Sequence, residues 1–138
     1  MTLGSLNPGP SVIHHTFYGD SGSGTDTSVV FGQNGSLTGT TNIVNPGLPR
    51  PSKLRGWWLN SATLGVLVDG DWTLRLRKNR ATSDSATGTW NPSDLNTVAY
   101  GNWDKQIILE PTEQYHLLAD GPARAIMLVR LVVEWEIL

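Results

Sequence analysis

The chain has 138 residues, a formal net charge of −2 and no cysteine, which excludes a disulfide framework, a thiolate metal site and a global basic field for nucleic acid. Only 16 % of its residues are charged, against about 25 % in typical soluble domains, while 15 Gly and 8 Pro accompany plentiful Thr, Ser and Asn. This is the balance of an all-β, loop-rich chain long enough for one domain with a proper hydrophobic core.

Residues 1–11 contain Gly4, Pro8, Gly9 and Pro10 and read as an extended arm rather than part of the domain, which is expected over residues 12–138. The arm cannot bury enough apolar surface to fold alone. Leu3 and Leu6 are spaced to dock on another surface, and Pro8 and Pro10, with φ already fixed, lower the entropy lost when the segment orders. The start lacks the basic region and apolar core of a signal peptide, and no apolar run approaches the ~18 residues of a membrane span. A cytoplasmic site of synthesis is therefore expected.

Strands are expected at Val12 to Tyr18, 28–31 and 38–44, with a flexible Gly/Ser loop over 19–27 between the first two. Pro46, Pro49 and Pro51 make a stiff connection, because prolines cannot feed a central ladder. Leu54 to Leu59 follows as a strand whose Trp57–Trp58 pair sends one indole to each face, and 66–68 continues toward the Asp69-Gly70-Asp71 turn. From Trp72 to Lys78 the alternation is clean, with Trp72, Leu74 and Leu76 on one side and Thr73, Arg75 and Arg77 on the other. Residues 82–96 read as a polar loop, with one helical turn near Leu95 entered through Pro92. Short strands are expected at 97–100, 106–110 and 114–118 before the Asp120-Gly121-Pro122 turn.

The last segment, Arg124 to Leu138, is one long strand. Met127, Val129, Leu131, Val133, Trp135 and Ile137 share a face. The opposite face is apolar at one end (Ile126, Leu128, with Val132 beyond Arg130) and acidic at the other (Glu134, Glu136). A solvated antiparallel strand carries a more uniformly polar second face, so the apolar half wants a cover. With no tail after Leu138, a structural C-terminus is expected. The count of roughly eight short strands without helices gives an antiparallel β-sandwich, jelly-roll-like. Ile126, Leu128, Val132 and Trp57 are the candidate subunit-interface residues.

Chemistry is hard to place on this sequence. Gly19-Asp20-Ser21-Gly22-Ser23-Gly24 looks like the nucleophile loop of trypsin-type serine proteases, but His14 and His15 lie only a few residues upstream and the chain is too short for that double barrel. It reads better as a surface loop. Adjacent strand residues point to opposite faces, so His14 and His15 cannot share a metal ion. A site from one of them with His116 and a carboxylate has no further support, nor has calcium at Asp20/Asp26 or Asp69/Asp71. A cupin-type enzyme would need a clustered histidine and glutamate set, which is missing. No enzyme activity, metal or cofactor is expected. Arg75, Arg77, Lys78 and Arg80 form the single basic cluster, expected to pair with carboxylates such as Glu134 and Glu136 rather than with nucleic acid. Trp90 and Trp103 sit among polar loop residues and are the candidates for partner contact or glycan stacking.

The run Trp72 to Thr82, containing Leu74-Arg75-Leu76-Arg77-Lys78-Asn79, resembles a phrase of small phage jelly-roll proteins, in which a strand of the type T-x-x-L-R-K-N-G enters a hairpin. Arg80 stands where glycine is usual. Tyr115 to Arg124, followed by an alternating strand, is similar to the close of the same class. The class includes capsid decoration proteins and tail-fibre heads, and resembles the trimeric tumour-necrosis-factor-like jelly roll. The resemblance implies a homotrimeric virion structural protein, a capsid decoration or cement protein bound to a phage major capsid protein, with Leu3, Leu6, Pro8 and Pro10 as shell-contact candidates. The rival expectation is a receptor- or glycan-binding head of a tail fibre, with neither nucleic acid nor membrane as partner.

Overall fold

The computed structural model describes residues 11–20, 28–32, 47–64, 70–79, 81–92, 94–122 and 126–138, with Leu64 and Ile126 described by their backbone alone. The arm candidates Leu3, Leu6, Pro8 and Pro10, the expected strands at 38–44 and 66–68, and most of the 19–27 loop lie outside these residues.

The described residues are all-β: β1 (Val12–Asp20), β2 (Ser28–Val30), β3 (Ser52–Leu64), β4 (Trp72–Lys78), β5 (Ala86–Trp90), β6 (Asn96–Asn102), β7 (Ile108–Leu109), β8 (Tyr115–Asp120) and β9 (Ile126–Ile137). They form two antiparallel sheets packed as a β-sandwich. The first runs β1-β9-β3-β6, with β7 also pairing with β3, and the second runs β2-β8-β4-β5. β9 lies at the centre of the first sheet, flanked by β1 and β3 along almost its whole length. This position explains its alternation. Met127, Val129, Leu131, Val133 and Trp135 all point into the core and are buried.

β3 departs from simple alternation. Leu54 pairs with Trp135 and Trp57 with Val133, so one extra residue is inserted in β3 between them. A bulge of this kind reverses which residues face inward beyond it. Leu54 and Leu59 are five apart, and both are fully buried because the bulge intervenes. The same shift turns Trp57 inward and leaves Trp58 outside. The Trp57 indole then spans the space between the sheets. A Cβ added at Gly88 on β5 would lie 2.6 Å from its Nε1, and one at Gly101 on β6 would lie 2.9 Å from its Cζ2. These two glycines are the room in which Trp57 packs.

Three sequence expectations change here. Residues 86–90 form a strand, not a loop, with Ala86, Gly88 and Trp90 inward and Thr87 and Thr89 on the other face. Ala and Gly give almost no hydrophobic signal, and Gly88 is small because Trp57 occupies the space above it. The described residues near Leu95 form no helical turn. Asp94 and Leu95 form a bend, the Leu95 carbonyl accepts a 2.8 Å hydrogen bond from the Thr63 N–H, and β6 begins at Asn96. The hairpin after β4 turns through Asn79, which has φ 52°. The Ala81 N–H donates to the Lys78 carbonyl at 2.9 Å. Asparagine tolerates this left-handed conformation.

Candidate functional site: the outer face of the first sheet

Because β6 pairs with β3, and β3 with β9, outward side chains line up in rows across the first sheet. One row runs Thr16, Val132, Trp58, Tyr100; the next runs Tyr18, Arg130, Asn60, Val98. A third runs Asp20, Leu128, Ala62, Asn96. The large apolar members of these rows are uncovered. Trp58 and Tyr18 are moderately exposed, Leu128 is 47 % exposed, Val98 66 % and Tyr100 80 %. Cross-strand aromatic pairs such as Trp58–Tyr100 stabilise a sheet, but solvent gives their outer surfaces nothing.

Beyond these rows the face becomes charged. His14 Nε2 lies 3.2 Å from Glu134 Oε2, and Arg55 Nη1 donates to Glu136 Oε2 at 2.6 Å. That hydrogen bond, with the glutamate charge behind it, raises the Arg55 pKa. The β3 bulge opens a groove of about 660 Å³ between the charged end and the aromatic row, lined by residues including His14, Arg55, Trp58, Tyr100, Asn102 and Glu134. A second, apolar hollow of about 320 Å³ lies between β1, β9 and β3, lined by residues including Tyr18, Asn60, Ala62, Leu128 and Arg130. Arg130 makes no ion pair with any described residue.

The second sheet presents a different surface. Arg75 holds Asp120 through Nε (2.9 Å) and Nη2 (3.2 Å) and also hydrogen-bonds Asp84, which takes a 2.9 Å bond from Arg77 Nε. Burial pushes the Asp84 carboxyl up, but the hydrogen bonds from Arg77 and Arg75 outweigh it and hold the pKa below its ordinary value. Arg75 and Arg77 therefore pair within their own sheet, not with Glu134 and Glu136, which lie on the opposite face of the sandwich.

Of the sequence candidates, Leu128 and Val132 belong to the uncovered face, Val132 being partly shielded there. The Ile126 side chain lies outside the description, although its backbone pairs with Leu64. Trp57 is placed in the core, 6 % exposed, because of the bulge. Trp90 and Trp103 are also buried. Trp90 packs against Trp72 with ring centroids 6.0 Å apart. Trp103 donates its indole N–H to the Gly56 carbonyl in the bulge at 3.2 Å. Neither indole is presented to a partner or a sugar. The sequence reading missed Val98 and Tyr100. The available signal was the alternation Thr97-Val98-Ala99-Tyr100-Gly101, where the small residues are the inward set.

His14 and His15 do separate to opposite faces. His15 points inward and stacks on Tyr115 with centroids 6.0 Å apart, its Nδ1 2.5 Å from the Tyr115 hydroxyl. Trp135 Nε1 donates to the same hydroxyl at 3.3 Å. Burial lowers the His15 pKa and pushes the Tyr115 hydroxyl well above its usual value. Among the described residues, no three His, Asp or Glu side chains converge on a metal-sized site. No protein-family model matches the chain, and no curated protein matches its sequence.

Proposed function

We propose that this chain is a non-catalytic structural subunit of a virion, a capsid decoration or cement protein that works as a homotrimer bound to a phage head shell. The observation that carries the proposal is the outer face of the first sheet. Exposed aromatic and aliphatic residues there run from β1 across β9 and β3 to β6, while the other outer face is charge-paired. Large exposed apolar side chains gathered on one face in this way favour an assembly interface. The strand order supports the same reading. With β7 set aside and the other eight strands renumbered in chain order, the sheets become 1-8-3-6 and 2-7-4-5, with first and last strands side by side as in a jelly roll of two Greek keys. A cement protein needs a rigid body, a broad contact surface and a segment that reaches along the shell. Residues 1–10 are the proposed reach.

A second reading has one specific observation in its favour. Trp58 and Tyr100 stand side by side at the 660 Å³ groove, with Arg55, Asn102 and Glu134 on its walls. Aromatic faces beside paired polar groups suit a sugar ring. This is the receptor- or glycan-binding head of a tail fibre, moved from Trp90 and Trp103 to the sheet face.

Immunogold imaging of virions carrying the chain separates the two. Label spread over the head is the result expected of a cement protein, and label at the tail tip favours the receptor reading. Absence from virions overturns both. For the cement reading, deleting residues 1–10 is expected to weaken attachment to shells while leaving assembly and melting temperature nearly unchanged.

A further inference from the structure

The groove at the aromatic row has a charge as well as a shape. Trp58, 37 % exposed, and Tyr100, 80 % exposed, stand on its wall with Val132, and Gly56 and Gly101 line it without side chains. Neither ring face is taken by another aromatic ring or by a cation among the described residues. Arg55 is the one lysine or arginine among the described residues lining the groove, and its Nη1 is already bonded to Glu136. Glu134 has a half-open carboxylate whose described partner is the His14 ring nitrogen, 3.2 Å away. Its charge also acts on Arg55 through space. A carboxylate without a bonded lysine or arginine therefore stands beside two open aromatic faces.

That combination selects among ligands. An anion meets Glu134 and a guanidinium that Glu136 already holds. A primary ammonium is strongly hydrated and brings three N–H donors, for which aromatic faces and Val132 offer no acceptor. A quaternary ammonium has no N–H to satisfy and is held by aromatic faces beside a carboxylate. We propose that the groove binds a quaternary ammonium head group of the choline class, its methyl groups against Trp58 and Tyr100 and its charge facing Glu134. The site rests on the second reading above in taking the groove to be open to a ligand; the cationic class of that ligand is additional. A soluble choline compound fits better than a lipid surface, because a lipid brings a phosphate alongside the quaternary nitrogen and sets it against Glu134 and Glu136.

Of the six tryptophans, Trp58 is the exposed one, so its indole N–H reports on the groove by nuclear magnetic resonance. In the full chain titrated with choline chloride, the resonance lost in Trp58→Phe is expected to shift saturably, with millimolar affinity. Dimethylbutanol, the uncharged carbon isostere of choline, is expected to bind about tenfold more weakly. Glu134→Gln is expected to weaken choline binding about tenfold and to leave the isostere unchanged, while Tyr100→Ala weakens both. Equal binding of choline and its isostere, or choline binding that survives Glu134→Gln intact, overturns the proposal. Circular dichroism on each variant confirms that it folds. Leu128→Asp, which changes the neighbouring hollow rather than the groove, is titrated beside the parent so that covering copies of the chain do not mask the site. No shift in either chain overturns the proposal. Methyl glucoside keeps the two readings apart. A shift with this neutral sugar and none with choline sinks the cationic site and spares the sugar reading, and a shift with choline alone does the reverse. Phosphatidylcholine vesicles that sediment the chain, with choline releasing it, move the ligand to a lipid surface and overturn the soluble source.

Discussion

The two outer faces of this sandwich are built from similar strands and solve opposite problems. On the second sheet, β4 sends out Thr73, Arg75 and Arg77, and the guanidinium groups are held by Asp84 and Asp120 within reach of solvent. On the first sheet, β6 and β9 send out Val98, Tyr100 and Leu128, which stand exposed with no described residue covering them. An exposed ion pair is content in water and contributes little, about 0.2–1 kcal/mol. An exposed aromatic row gains only when another surface displaces its water. The difference is one of composition: one outer face is charge-paired and the other leaves large apolar side chains exposed.

The comparison is sharpest at two adjacent residues. Trp57→Ala removes the indole that fills the space over Gly88 and Gly101, and is expected to cost about 3–5 kcal/mol of subunit stability in urea unfolding. Trp58→Ala, one residue on, is expected to cost the dilute monomer only about 1 kcal/mol, through the lost cross-strand pair with Tyr100, and to weaken association as well. Equal losses of monomer stability from both would break the distinction between the core and the proposed docking face.

Next in size, Leu128→Asp or Val132→Asp is expected to disperse the assembly, each with a loss of about 2 kcal/mol or more in association energy, read from the concentration dependence of sedimentation. If either change unfolds the subunit instead, that part of the face packs against its own chain. On the second sheet, Arg75→Ala is expected to cost about 1 kcal/mol of subunit stability by leaving Asp84 and Asp120 without their shared cation, with no effect on assembly.

The smallest expected effect is a pH dependence at His15, partly buried at the margin of the core. His15 has a folded-state pKa below its ordinary 6.5, caused by burial. The native chain therefore binds fewer protons there than the unfolded chain, and stability rises with pH. The contribution is fully present above about pH 6.5 and is lost as the pH falls toward the folded-state value. Melting temperatures should decline across that range, and His15→Gln should flatten the slope. An unchanged slope in the variant assigns the acid sensitivity to another group.

The sequence made the sandwich legible because β9 and β4 keep strict alternation, and because few residues outside the strands favour helix. It made half of the face legible as well, through Leu128 and Val132 on β9. It hid the rest for two physical reasons. The bulge after Leu54 reverses the facing of β3, so the spacing of apolar residues could not say which of Trp57 and Trp58 lay inside. On β5 and β6 the inward residues other than Trp90 are Ala, Gly and Thr, and Gly88 and Gly101 leave room for one large indole donated by another strand. On β6 side-chain size runs opposite to burial. Trp90 and Trp103 misled for a related reason: polar neighbours in sequence say little about an indole that turns back into the core.

The central claim is that the outer face of the first sheet is buried by further copies of the chain. Sedimentation equilibrium at micromolar concentration tests it most directly, run on the parent chain beside Tyr100→Asp. The account predicts a parent species of three times the 15.0 kDa chain mass and a folded Tyr100→Asp species at or near the mass of one chain. A parent chain that sediments as a monomer across this concentration range would contradict it.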